Sequence, residues 1–194
     1  KSKGNSNMKI NVFKSVLAAS LVAATLASCQ SEPEVGSLLY PSTEENYSAK
    51  AFLYAVSTDG NKLTLAGEKS ASAVTLAGDS ATFYVRLSSP AEKDVTVTLA
   101  ASSDGVTAGN DEVVMGTEAV SLSKTSVTIA KGQTESEPIV VKLVNGDVLK
   151  NIPMLKNGVT SIVMKSVDGV QAASTNTSVL VATNFTFNNI NASG

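Results

Sequence analysis

Apolar and polar residues alternate with a period of two along most of this chain, which restricts it to extended structure. In residues 81–88, Phe83 and Val85 alternate with Tyr84 and Arg86, and residues 95–101 continue in the same way. Successive side chains of a β-strand point to opposite faces, so this pattern predicts strands with one buried face. No long stretch beyond residue 29 has the helical period of 3.6 residues.

Further short strands are predicted between turn signals such as Ala130-Lys-Gly and Asn145-Gly-Asp. They cover residues 51–56, 73–76, 120–122, 126–129, 139–143, 160–164 and 178–183. Many short strands at regular spacing favour an all-β chain, specifically an immunoglobulin-like antiparallel β-sandwich with Greek-key connections. The connection at residues 88–94 contains Pro90 and Asp94, and we expect the strands on either side to be neighbouring elements of the sandwich.

The sequence lacks several side chains that most enzyme sites need. Its 194 residues include no histidine, no tryptophan and a single cysteine, Cys29. This composition excludes Ser-His-Asp and Cys-His nucleophiles, histidine-ligated zinc and an intramolecular disulfide. We therefore expect no enzymatic activity and no cofactor, and a core filled by Phe83, Leu99, Ile129 and Val141. A glycosidase that works with carboxylates alone is the enzymatic alternative.

The first 28 residues have the composition of a secretory signal. Lys9 and Lys14 precede small and aliphatic residues at 16–27, a run of about twelve residues that is too short to span a bilayer as a helix. Leu26-Ala-Ser-Cys29 resembles the lipobox of bacterial lipoproteins, which implies removal of residues 1–28 and lipidation of Cys29. An ordinary signal peptide followed by an incidental cysteine is the alternative.

Residues 30–34, which include Glu32 and Glu34, resemble the acidic surface-export signal of Bacteroidetes lipoproteins. The resemblance implies a chain anchored in the outer membrane by lipid and exposed at the cell surface, and a merely solvated tether is the alternative. We expect three parts, namely a leader and signal peptide (1–28), a lipidated cysteine with a flexible tether (29–48) and a β-sandwich domain (49–194).

The middle of the chain resembles two related sandwich families. The similarity covers roughly residues 73–183 and rests on the strand at 81–88, the turn at Ser89-Pro90, the strand at 95–99 and the segment 127–135. One family is the Calx-beta domain. The other is a domain of unknown function in Bacteroidetes lipoproteins associated with polysaccharide-utilisation systems, and the lipobox favours it. Residues 112–126 form a longer insert than the Calx-beta pattern has.

Candidate ligand-binding residues lie in the polar loop at 102–116, which contains Asp104, Asn110, Asp111 and Glu112. Calcium takes about six to eight oxygen ligands, whereas this loop offers carboxylates at irregular spacing, so we predict a solvated turn and no metal. Tyr84 is the candidate stacking ring for a sugar, with Tyr54 as a second ring. Tyrosines that are half-buried at sheet edges with their hydroxyls in water are the alternative. The loop is predicted at the end of the sandwich opposite the tether.

Two functions remain open from the sequence. The first is a non-catalytic surface lipoprotein that acts as a glycan-associated binding or spacer module of a polysaccharide-uptake system. Its partners would be the membrane, through the lipid anchor, and polysaccharide or other uptake proteins. The second is a fimbrial or adhesin subunit that assembles by donating residues 178–187 as a strand. With 15 Lys+Arg, 17 Asp+Glu and no basic cluster, nucleic acid is not an expected partner.

Overall fold

The computed structural model describes residues 48–188, which form two β-sheets and two short helical turns. The helical turns are a 3₁₀ helix (Thr117–Ala119) and helix α1 (Asp147–Lys150). The strands are, in chain order, β1 (Lys50–Ala55), β2 (Lys62–Lys69), β3 (Val74–Leu76), β4 (Ser80–Leu87), β5 (Val95–Ser102), β6 (Glu112–Val114), β7 (Val120–Leu122), β8 (Ser126–Ile129), β9 (Ile139–Leu143), β10 (Asn157–Asp168), β11 (Gln171–Ala172) and β12 (Ser178–Phe187).

The two sheets have different strand orders. Sheet A has the order β11-β1-β4-β9-β7, and sheet B has the order β3-β2-β12-β10-β5-β8, with β6 also paired to β10. Most pairs are antiparallel, but β1 with β11, β10 with β6 and β12 with β2 are parallel. The all-β sandwich predicted from the alternation is confirmed.

Each predicted strand is present, and β10 and β12 extend beyond their predicted ends. Strands β2, β6 and β11 were not predicted from the sequence. Strand β2 was hidden because its inward positions are Leu63, Leu65, Gly67 and Lys69, so the apolar alternation stops half-way. Gly67 leaves room for the ring of Phe185, whose nearest atom would lie 3.0 Å from an added Cβ.

Lys69 ends β2 with a buried amine. Its Nζ donates hydrogen bonds to the carbonyl oxygens of Leu149 at 3.0 Å and Lys150 at 2.7 Å, at the end of α1. Burial lowers the pKa of the Lys69 amine from its ordinary value of 10.5. The free carbonyls of a helix end need donors, so this lysine ties α1 to sheet B.

The connection at residues 88–94 does not join adjacent strands of one sheet. Strand β4 lies in sheet A and β5 lies in sheet B, so the chain crosses from one sheet to the other. Ala91 is buried and holds the crossing in place, because its N–H donates to Gln133 O at 2.9 Å and its carbonyl accepts from Gly132 N at 2.7 Å. Strands β4 and β5 are therefore consecutive in sequence but lie in different sheets, and they are not hydrogen-bonded to each other.

The ends of the sandwich can be assigned from the strand registers. Ala51 of β1 lies opposite Leu87 of β4, and an added Cβ on Gly169 would meet Asp94 O, so these residues share one end, which we call the proximal end. Strand β5 runs away from Asp94 and finishes at Ser102. The loop at 103–111 therefore lies at the other end, which we call the distal end.

The core is made of aliphatic side chains and one fully buried large ring, Phe83. Fully buried residues from both sheets belong to the same core cluster, among them Leu53, Val85, Val97, Ile129, Ile139, Val141, Ile162 and Val181. The four residues predicted to fill the core, Phe83, Leu99, Ile129 and Val141, are all buried. Because the chain has no tryptophan, Phe83 is the largest fully buried side chain between the sheets.

We predict that Phe83→Ala lowers the free energy of unfolding by about 3–5 kcal/mol, because it removes a buried ring and leaves a cavity. Tyr84→Ala is the matched control on the next residue, which points outward, and we expect it to cost only about 1 kcal/mol. Urea unfolding of the two variants and the wild type measures the difference. Equal losses for both variants would contradict the assigned faces of β4.

Candidate binding face on sheet A

Two tyrosines lie side by side on the outer face of sheet A. Tyr54 of β1 and Tyr84 of β4 are directly opposite each other in an antiparallel register. Their chain neighbours Leu53, Ala55, Phe83 and Val85 point into the core, which turns both tyrosine rings outward. Tyr54 is 40% exposed and Tyr84 is half-buried. Side chains directly opposite on antiparallel strands are about 4.5–5.5 Å apart at Cβ, so the two rings form one surface.

Arg86 lies against both rings and is the only arginine of the chain. Its Cζ is 3.6 Å from the centroid of the Tyr54 ring and 5.9 Å from that of Tyr84. Its Nε forms an ion pair with Glu135, which also makes an isolated antiparallel bridge to Arg86. A guanidinium over an aromatic face is attracted by the electron density of the ring, and the ion pair fixes its position.

The same face carries a third ring and two lysines. Phe52 lies opposite Arg86 in the β1–β4 register. Lys50 is on the Phe52 side of β1, and its Nζ donates to Gln171 Oε1 at 2.8 Å. Lys142 points outward from β9, because its neighbour Val141 is fully buried. We call Lys50, Phe52, Tyr54, Tyr84, Arg86 and Lys142 the aromatic-basic face.

The predicted loop residues do not join this face. Asp104, Asn110 and Asp111 are exposed at the distal end, in the loop between β5 and β6 of sheet B. Tyr84 lies on the outer face of the opposite sheet. The structure therefore separates the predicted stacking ring from the predicted polar contacts, because the crossing at 88–94 places β4 and β5 in different sheets.

Two carboxylates of the loop, Glu112 and Asp111, have a lysine nearby. Glu112 Oε1 accepts a hydrogen bond from Lys62 Nζ at 2.7 Å, and its Oε2 accepts one from Gly109 N at 3.0 Å. The hydrogen bond from Lys62 lowers the pKa of the Glu112 carboxyl from 4.5, against an opposing effect of burial. Asp111 lies 3.9 Å from Lys156 Nζ. Within residues 48–188 no cluster of three or more His, Cys, Asp or Glu side chains is placed to hold a metal ion.

Part of the outer face of sheet B is covered. Val159 and Ala182 are paired across β10 and β12, and each is only 1% exposed although neither belongs to the core between the sheets. Strand β2 lies beside β12 and β6 lies beside β10. The ion pair between Lys62 of β2 and Glu112 of β6 therefore joins the strands that flank Val159 and Ala182. The loop carboxylate Glu112 thus has a structural partner.

Cys29 and all of the predicted tether except Ser48 lie outside the described residues, so the lipidation and the tether stay predictions. The described part of the chain contains no helix of the length and hydrophobicity required to cross a membrane.

Residues 54–171 match a protein-family model described as a "-like, N-terminal domain". The chain belongs to this family of N-terminal domains. The matched residues include β2 to β10 and all of the aromatic-basic face except Lys50 and Phe52. No curated protein matches the chain.

Several solved structures with similarity to this chain come from Bacteroides species. A two-domain protein with unknown function from Bacteroides fragilis NCTC 9343 is 17% identical with a TM-score of 0.48, over 71% of this chain and 46% of that one. A "putative carbohydrate binding protein" from Bacteroides ovatus ATCC 8483 is 18% identical with a TM-score of 0.48, over 69% of this chain and 36% of that one. The chain spans less than half the length of these two proteins.

Tyr84 and Tyr54 were predicted as candidate rings, but their position opposite each other and their contact with Arg86 were not. The outward position of Tyr84 follows from the alternation, whereas residues 51–56 are hydrophobic throughout and do not show which way Tyr54 points. That Tyr54 is opposite Tyr84, and Phe52 opposite Arg86, depends on the β1–β4 pairing. One feature of the sequence could have indicated the role of Arg86, because it is a cation two residues after Tyr84 and therefore on the same face of the strand.

We predict that Glu112→Gln reduces the dependence of stability on acid pH. The folded-state pKa of Glu112 is lowered, so its contribution is present above pH 4.5 and is lost as pH falls through the folded-state value. At pH 7 we expect a loss of about 1 kcal/mol or less, since the pair is partly exposed. Urea unfolding of the variant and the wild type at several values between acid and neutral pH measures both the loss and its pH dependence.

Glu92→Gln is the control, since Glu92 is exposed and has no ion-pair partner within residues 48–188. The control variant keeps the wild-type pH dependence. A Glu112→Gln variant whose stability falls with acid as steeply as that of the wild type would show that the Lys62 contact contributes nothing.

Proposed function

We propose that this chain is a non-catalytic cell-surface lipoprotein whose sandwich acts as a glycan-associated binding or spacer module of an outer-membrane polysaccharide-uptake system. The observation that carries the binding role is the pair of outward rings, Tyr54 and Tyr84, in register on sheet A. Aromatic rings give sugars a large contact area at low entropic cost, because a ring has few rotatable bonds.

The shape of the aromatic-basic face suits a polymer better than a small molecule. The rings lie on neighbouring strands of a sheet and not in a closed cavity, so a long chain can lie across them. Arg86, which stacks on Tyr54 and pairs with Glu135, restricts the motion of the Tyr54 ring. A surface that is ordered before binding loses less entropy when the ligand arrives.

The side chains of the described residues support a binding role without catalysis. Carboxylate-only glycosidases need two carboxyl groups facing one sugar bond. Glu112 and Asp111 are instead directed to Lys62 and Lys156, on the sheet that does not carry the tyrosines. We place the sugar contacts on sheet A. The exposed Asp104, Asn110 and Asp111 are left for contacts with other uptake proteins at the distal end.

The proposed location rests on the sequence of the first 34 residues. The lipobox at 26–29 supports lipidation of Cys29, and the acidic residues after it support export to the cell surface. Several acyl chains, at about 0.8 kcal/mol for each buried CH₂, would hold the protein on the outer membrane permanently.

The alternative, a fimbrial subunit that donates residues 178–187, has less support. These residues form β12, which pairs with β10 on one side and with β2 on the other. Val179 and Val181 of this strand are fully buried in the core of the same chain. Donation to a neighbour would require β12 to leave a sheet in which both its edges are already bonded.

We predict that Tyr84→Ala weakens binding at least about tenfold to any polysaccharide that the wild type binds, because the substitution removes a stacking ring. Tyr84→Phe keeps the ring and retains most of the affinity, and Thr98→Ala on the outer face of sheet B is neutral. Affinity electrophoresis of the full chain in gels that contain neutral or acidic plant and bacterial polysaccharides measures retention. Retention that Tyr84→Ala leaves unchanged would remove the sheet A face from the proposal.

We predict that Cys29→Ser moves the protein from the outer-membrane fraction to a soluble fraction, because the acyl acceptor is lost. Ser28→Ala is the matched control, since it changes the adjacent residue and keeps the cysteine. Fractionation of cells, with protease treatment of intact cells to detect surface exposure, measures the change. Partition of Cys29→Ser with outer membranes would show that the anchor is not this cysteine.

A further inference from the structure

The three cations of the aromatic-basic face have three carboxylates beside them. Glu135 is the ion-pair partner of Arg86, Asp79 lines a cavity with Lys142, and Asp59 lines another cavity with Tyr54. The face therefore has no general excess of positive charge. An anionic ligand is expected to bind where a cation keeps hydrogen-bond donors that its carboxylate partner does not use.

Arg86 is held in a fixed orientation on this face. Its Cζ lies over the Tyr54 ring, 3.6 Å from the centroid, and its Nε donates a hydrogen bond to Glu135. Within residues 48–188 the two terminal nitrogens, Nη1 and Nη2, have no hydrogen-bond partner. The ion pair thus uses one edge of the guanidinium and leaves the end that carries both terminal nitrogens available.

The free end of a guanidinium has a specific preference. Nη1 and Nη2 together present parallel N–H groups that match the two oxygens of a carboxylate, and such bidentate pairs are stronger than neutral hydrogen bonds. Arg86 Cζ is closer to the Tyr54 ring, at 3.6 Å, than to the half-buried Tyr84 ring, at 5.9 Å. One face of Tyr54 is therefore taken by the guanidinium, and a sugar on the exposed part of Tyr84 would lie beside the same cation.

We propose that the aromatic-basic face selects acidic polysaccharides, in which a uronate carboxylate binds Nη1 and Nη2 of Arg86 while a sugar ring packs on Tyr84. The proposal rests on the glycan-binding function proposed above and specifies the ligand class. Lys50 lies on β1 and Lys142 on β9, on either side of the Arg86 strand β4, so neighbouring acidic units of an extended chain meet further positive charge. Neutral glycans could use only the rings.

The test compares two polymers that differ only in whether their carboxyl groups are ionised or methyl-esterified. Polygalacturonate carries a carboxylate on each sugar, and its fully methyl-esterified form has the same backbone without the charge. Binding of the full chain to each is measured by calorimetry, with alginate as a second uronate and dextran sulfate as a non-carboxylate polyanion. We expect the wild type to bind the uronates at least about tenfold more tightly than the ester.

The variants separate a specific carboxylate site from general attraction. Arg86→Lys keeps the charge but loses the bidentate fork, and we expect it to lose the preference for uronates over the ester. Lys165→Met removes one exposed cation from β10 of sheet B and is expected to retain the preference. Urea unfolding of both variants confirms that they are folded, and Arg86→Met serves as a second variant if Arg86→Lys is unstable.

The outcomes distinguish this proposal from the function on which it rests. Equal affinity of the wild type for polygalacturonate and its ester, or binding only of neutral polysaccharides, would overturn the uronate site and leave the binding function in place. Binding of dextran sulfate but of neither uronate, or equal losses in the Arg86 and Lys165 variants, would also overturn it. Failure to bind any polysaccharide would refute the binding function itself.

Discussion

Burial of Phe83 between the two sheets fixes the orientation of β4, and the binding face depends on that orientation. Phe83 is the largest fully buried side chain, and the core contains no tryptophan to replace it. Because side chains alternate along a strand, a shift of one residue would exchange every inward and outward position of β4. Tyr84 and Arg86 therefore point outward because Phe83 and Val85 must point inward.

The two ion pairs near the candidate sites have different consequences. The pair between Arg86 and Glu135 leaves the end of the guanidinium free and joins the segment at 134–137 to β4, where Leu87 N also donates to Thr134 O at 2.8 Å. The pair between Lys62 and Glu112 occupies a carboxylate of the distal loop and joins β2 to β6. One arrangement orders a cation that can still bind an anion, whereas the other gives a loop carboxylate a structural partner.

The sequence predicted most strands because their inward positions are apolar in an unbroken alternation, as in β4, β5 and β9. It missed β2 because Gly67 and Lys69 take inward positions for reasons that lie far away in the chain. Gly67 accommodates the Phe185 ring, and Lys69 bonds to the end of α1. It also grouped Tyr84 with Asp104, Asn110, Asp111 and Glu112, because proximity along the chain does not reveal that the connection at 88–94 changes sheet.

By itself, the sequence determined the fold class, the outward direction of Tyr84, and the absence of histidine- and thiol-based chemistry from the described domain. These properties depend on composition and on the two-residue period, which are local. The tertiary structure alone decided that the two tyrosines are adjacent, that Arg86 stacks on one of them and that the acidic loop lies on the other sheet. Those facts depend on strand pairing between distant segments, since register and sheet membership are set by packing over the whole core.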